Sequence, residues 1–318
     1  MKNTKTALKV LSSLAVSATA VYGTLTLCDE LLFNKKLIPP TDISRKISGC
    51  DAEHLGEFLE KNLEWVENYG YERHFIISDR GERLVGYLLR AENDSKTYAF
   101  CAHGYRSNGK KEFCGVAQYY LSRGINVFFP DHIASGESEG THCTFGFYEK
   151  DDCMKWLNYL NETFGEDIKI FLHGVSMGSA TVCMMSESEA LPKNVKAIVS
   201  DCGYSTALSL FEYKLKAMGI QMNPLVKAVN VASKINHGVD LESLKPVESV
   251  KKAKLPMFFI HGRKDKLVPC YMGEQLYITC GSEDKELMII EDADHAQAFF
   301  KDRETYEKRL GAFLDRNI

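Results

Sequence analysis

The sequence predicts an α/β fold: a mostly parallel sheet flanked by helices, with an N-terminal hairpin and a small helical cap. Short apolar runs at 97–102, 125–129, 168–172, 195–200, 257–260 and 286–290 alternate with helix-compatible stretches near 111–123, 146–164, 177–189, 271–279 and 303–316. Strands buried on both faces read as such runs, and crossover helices fill the intervals. Two apolar and β-branched runs, 71–78 and 84–89, flank the turn Asp79-Arg80-Gly81 and form the hairpin. The composition, 45% hydrophobic and 26% charged over 318 residues, is that of one large globular domain with appendages.

Taken in order, the chain begins with Lys2, Lys5 and Lys9 ahead of a charge-free stretch at 10–28. That stretch approaches the ~20 residues a membrane-spanning helix needs, although its serines and threonines make it only moderately hydrophobic. Residues 1–30 therefore read as an N-terminal anchor that places the protein at the cell membrane, or as a secretory signal with Ala18-Thr19-Ala20 as its cleavage site. Pro39-Pro40 and neighbouring polar residues make 31–48 a linker, and 49–318 is the folded domain. Leu55, Phe58, Leu59, Leu63 and Val66 recur at helical spacing, so 51–68 is an amphipathic helix. From about 205 to 250 there is no strand pattern. A helical stretch at 207–218, a break at Asn223-Pro224 and a mixed amphipathic run suggest the cap, inserted above the strand ends.

A formal net charge of −4 gives no field suited to nucleic acid. The ten cysteines lack C-x-x-C pairs, so buried apolar roles are expected for those in apolar runs, such as Cys101 and Cys183. Their number fits a reducing compartment, in tension with the N-terminal signal. There is no H-E-x-x-H, phosphate-loop or dinucleotide fingerprint, so no metal and no organic cofactor is expected. Oligomeric state is not legible.

Chemistry is concentrated in Gly174-Val175-Ser176-Met177-Gly178, a G-x-S-x-G sequence set between a strand run and a helix start. A turn this sharp strains the central residue and needs glycine at its flanks, and it lifts the serine hydroxyl clear of the sheet. The pentapeptide alone is common by chance, and its strand-then-helix context is what singles it out. A serine needs a base, and the base an orienting carboxylate. His295, in a polar loop after the last strand, is the candidate base. Asp265, just past the strand run 257–260, is the candidate acid, with Asp201, Asp131, Asp292 and Asp294 as rivals. The candidate oxyanion donors are the backbone N–H groups of Met177, after the nucleophile, and Tyr105, after Gly104 in the loop following 97–102.

These features resemble the α/β-hydrolase superfamily, specifically bacterial serine hydrolases with an N-terminal hydrophobic segment. The resemblance spans about 70–318 through Cys101-Ala102-His103-Gly104-Tyr105, Phe129-Pro130-Asp131, Gly136-Glu137-Ser138-Glu139-Gly140, the serine motif, Ile260-His261-Gly262 through Asp265 to Pro269, and Asp294-His295. It implies the α/β-hydrolase fold, a triad of Ser176, Asp265 and His295, and an oxyanion hole at Tyr105 and Met177. Where relatives often carry an Arg-Gly pair, this chain has Ile133-Ala134-Ser135, a departure that bears on substrate fit. The expected activity is cleavage of a carboxylic ester, or a related acyl bond, of a small or lipid-like substrate by an esterase-like serine hydrolase. Acyl transfer and aminopeptidase-type cleavage use the same three residues. A non-catalytic, membrane-tethered binding protein on the same scaffold is the rival outside enzymes.

Overall fold

A computed structural model describes residues 23, 25–27, 30, 33–35 and 52–318, except 218 and 220–222. Most of the charge-free stretch 10–28 and of the linker 31–48, with Cys28 and Cys50, lies outside the described residues. Among the described residues no helix is long and apolar enough to cross a membrane.

One sheet organises the chain. Its strands are β1 (Glu72–Ile77), β2 (Arg83–Leu89), β3 (Thr97–Ala102), β4 (Asn126–Pro130), β5 (Lys169–Val175), β6 (Val195–Asp201), β7 (Met257–Gly262) and β8 (Lys285–Ile290). They lie in the order β1-β2-β4-β3-β5-β6-β7-β8. The hairpin strand β1 pairs antiparallel with β2, β2 pairs antiparallel with β4, and every later pairing is parallel. This is the expected α/β-hydrolase fold. The parallel strands read as unbroken apolar runs because helices cover both faces: β4 and β7 are buried at every position.

On one face lie α1 (Ala52–Tyr69), α2 (Gly109–Ser122), α9 (Ala298–Lys301) and α10 (Arg303–Asn317). They bury Val66, Phe113, Tyr120, Tyr306, Leu310 and Phe313 against the sheet. The other face carries α3 (Glu149–Phe164), α4 (Met177–Met185), α7 (Pro246–Val250) and α8 (Cys270–Thr279), which contribute Trp156, Leu160, Val182, Val250 and Leu276. Asn108 starts α2 by accepting the Lys111 N–H, and Asp302 does the same for α10 with the Thr305 N–H. Cys101, Cys114, Cys143, Cys153, Cys183, Cys202, Cys270 and Cys280 are buried and free, and each behaves as a small apolar side chain.

Between β6 and β7 the chain leaves the sheet as α5 (Ala207–Ala217), α6 (Asn223–His237), a short 3-10 turn (Leu241–Ser243) and α7. The sequence reading took Asn223-Pro224 as a break, whereas it forms the first turn of α6. Proline is tolerated there, because a first-turn N–H has no helical partner to lose. The inner faces of α5 and α6 supply Leu210 and Val229 to a third apolar cluster, with Phe145, Ala180, Met184 and Tyr204. Ala180 and Met184 belong to α4, so this layer sits over the serine turn.

Candidate active site

The serine turn is a consequence of close backbone packing. Ser176 has φ 56° and ψ −116°, between the last residue of β5 and the first of α4. A Cβ at Gly174 would stand 2.3 Å from the Gly178 carbonyl oxygen, and one at Gly178 would stand 1.9 Å from that of Ala102. No side chain fits at either place, which is why glycine flanks the serine on both sides. The Ser176 N–H donates to the Asp201 carbonyl at 2.8 Å, tying the turn to the end of β6.

Three sequence-predicted residues from three strand ends converge here. Ser176 Oγ lies 2.8 Å from His295 Nε2, and His295 Nδ1 lies 2.7 Å from Asp265 Oδ2. The Asp265 side chain is fully buried and His295 is 12% exposed. The other oxygen of Asp265 accepts the backbone N–H groups of Leu267 and Val268, each at 2.8 Å. His261 stands 3.3 Å from Oδ2 and donates to the Val268 carbonyl at 2.9 Å. Burial alone would raise the Asp265 pKa, but the His295 charge and the side-chain hydrogen bonds of His261 and His295 outweigh it and hold the carboxyl below its ordinary range. For His295 the opposing causes are again burial, which lowers the pKa, and the Asp265 charge and hydrogen bond, which prevail and raise it. An ionised Asp265 accepts from Nδ1–H, which leaves the Nε2 lone pair for the Ser176 hydroxyl.

The rival carboxylates do other things. Asp201 accepts from Tyr306 Oη at 2.9 Å, and burial pushes its pKa up to about 6. Asp131 accepts the N–H groups of Gly109 and Glu137 and thereby shapes the loop after β4. Asp292 pairs with Lys264 at the surface. Asp294 accepts the His295 N–H at 2.8 Å and so supports the base through its backbone.

The two predicted oxyanion donors lie on either side of Ser176. Met177 opens α4, where backbone N–H groups have no helical acceptor and the helix dipole favours negative charge. The loop bearing Tyr105 touches the serine: a Cβ on Gly104 would be 3.2 Å from Ser176 Cβ. His103 anchors that loop, with Nδ1 donating to the Gly104 carbonyl at 2.7 Å and Nε2 accepting the His132 N–H at 2.9 Å. The Tyr105 ring stacks on Phe145, centroids 4.6 Å apart, so the loop after β3 also touches the cap cluster.

Sequence reasoning missed three supports. His261 lies four residues before Asp265, and that spacing was visible, but only the strand end turns it toward the carboxylate. Lys214 of α5 donates to the Lys266 carbonyl at 3.1 Å and joins the cap to the acid loop. Glu112 of α2 shares with His295 and Asp201 a cavity of about 200 Å³ beneath α1, also lined by Phe58, Phe299 and Tyr306.

Comparisons with known proteins agree with the architecture. A family profile of the alpha/beta hydrolase fold matches residues 100–222. The chain is 27% identical to the uncharacterized protein YqkD of Bacillus subtilis, across 96% of this chain and 97% of that one. It is 25% identical to caffeoylshikimate esterase of Arabidopsis thaliana, across 70% of this chain and 78% of the plant enzyme. A solved esterase structure from Pyrococcus furiosus superposes with a TM-score of 0.64 at 22% identity, covering 81% of this chain and 93% of that one.

Proposed function

We propose that this chain, which has the α/β-hydrolase fold, is a serine hydrolase that cleaves carboxylic esters of apolar acids through an acyl-enzyme on Ser176. The observation that carries the reading is the continuous relay from Ser176 Oγ through His295 to a buried, ionised Asp265. Ser176 Oγ attacks the ester carbonyl while its proton passes to His295 Nε2. Asp265 holds the imidazolium that forms, and the N–H groups of Met177 and Tyr105 meet the oxyanion, a contribution of about 3–4 kcal/mol each. Collapse expels the alcohol, protonated by His295. Water then gives its proton to His295, attacks the acyl-serine and releases the acid.

An esterase among the relatives in sequence supports ester cleavage, and a solved esterase is among the neighbours in fold. The apolar layer of Phe145, Tyr204, Leu210 and Val229 above the turn supports an apolar acyl group, because desolvating such a group is favourable by roughly 25 cal/mol per Å². A panel of p-nitrophenyl esters of increasing acyl length, run beside aminoacyl p-nitroanilides and an acceptor alcohol, tests this. The expected result is ester hydrolysis whose kcat/KM rises with acyl length and then levels off. Faster cleavage of the anilides, or acyl transfer to the alcohol in preference to water, would replace the reading with a peptidase or an acyltransferase.

A further inference from the structure

A second cluster of chemically capable side chains lies away from the serine, where three distant parts of the chain meet. His237 is in the last turn of α6, which Gly238 ends at φ 69°, and Tyr148 Oη donates to its carbonyl at 2.9 Å. His142 follows the loop after β4. Glu30 stands one turn before Asn34, whose N–H donates to the Glu30 carbonyl at 2.9 Å. Backbone pairing sets the register between the last two segments: Asn34 bridges His142, Lys35 donates to Thr141, and Cys143 donates to Phe33.

The three side chains point their donor atoms at one spot. His142 Nε2 is 3.3 Å from both Glu30 oxygens, and His237 Nε2 is 3.8 Å from Oε1. All three ligand atoms lie within 4.8 Å of one another. Donors on a tetrahedron about 2.0–2.1 Å from Zn²⁺ are separated by about 3.3–3.4 Å, so small side-chain shifts complete the geometry. Neighbours orient the ligands as metal sites require. Thr141 Oγ1 lies 2.6 Å from His142 Nδ1 and can accept an N–H there, the tautomer in which Nε2 is free to ligate, while Asn34 Nδ2 donates to Glu30 Oε2 at 2.8 Å. The imidazole rings stand 4.3 Å apart and face one carboxylate. A divalent cation at that spot is within reach of both imidazole Nε2 atoms and the carboxylate together. Two imidazoles select a borderline metal over Mg²⁺ or Ca²⁺.

We propose that Glu30, His142 and His237 form a Zn²⁺ site, with water as the fourth ligand, that clamps the segment around Phe33 onto the cap. Phe33 is 1% exposed and packs on Phe145 and His237, at 5.6 and 5.4 Å between centroids. Phe145 carries Tyr105, so the clamp steadies the rim of the serine site. The sequence contains no metal motif because the ligands come from three segments far apart in the chain.

The test is Zn²⁺ titration of the EDTA-stripped full chain in competition with a chromophoric chelator, with Co²⁺ absorption reporting coordination geometry. Wild type and His295→Ala are expected to bind one equivalent, with tetrahedral Co²⁺ bands. Glu30→Gln, His142→Ala and His237→Ala, each with unchanged far-UV circular dichroism, are expected to lose at least about 100-fold in affinity. Because Glu30 and His142 are partly exposed, their variants retain the fold even if that of His237 does not. No uptake by wild type, or undiminished affinity in Glu30→Gln and His142→Ala, overturns the proposal. So does loss of the equivalent in His295→Ala, which would move the ion to the group of Cys202, Asp265 and His295 at the serine site. None of these readouts depends on ester hydrolysis.

Discussion

Ser176→Ala is expected to lower kcat by roughly 10⁵-fold or more, while the thermal unfolding midpoint stays where it is. The change removes the proposed nucleophile. It leaves the turn intact, because alanine fits φ 56° no worse than serine does and the backbone bond to Asp201 is untouched. Steady-state ester hydrolysis and a melting curve on the same preparation check both halves. Activity within tenfold of wild type would place the nucleophile elsewhere. A large drop in the midpoint would make lost activity a folding effect.

Asp265→Asn is expected to reduce kcat/KM by about 10⁴-fold. The side-chain oxygen must still accept the N–H groups of Leu267 and Val268, so the amide NH₂ takes the place of Oδ2 and faces His295 Nδ1. Nδ1 then has to accept, the ring proton moves to Nε2, and the base can no longer take a proton from Ser176. The pH profile carries the same signature. On the proposed mechanism the working base is neutral His295, so kcat/KM is expected to rise with pH, with a midpoint above the ordinary 6.5 because Asp265 outweighs burial. Removing the carboxylate charge leaves burial as the dominant influence, so the residual activity titrates at lower pH. A midpoint unmoved in Asp265→Asn would mean that another group governs the profile.

The parts of the fold and site that were legible share a physical reason. Strands buried on both faces need continuous apolar runs, and the turn at Ser176 needs glycine at 174 and 178, so both leave local marks. Asp265 and His295 could be picked out because each sits in a loop directly after a strand, and the parallel sheet brings such loops to one edge. What escaped is whatever depends on packing between distant segments. That His261 flanks Asp265, that Lys214 ties the cap to the acid loop, and that Glu30 meets His142 and His237 all follow from how α5, α6 and the chain near Phe33 settle on the sheet. Asn223-Pro224 was ambiguous for a different reason, since the same dipeptide ends one helix and begins another equally well.

The most direct measurement is to label the protein with a fluorophosphonate, digest it and map the adduct by mass spectrometry. A serine activated by His295 and Asp265 should carry one phosphonyl group per chain on the peptide containing Ser176, and Asp265→Asn should label far more slowly. A folded wild-type chain that takes up no probe, or takes it up on another serine, would contradict the account.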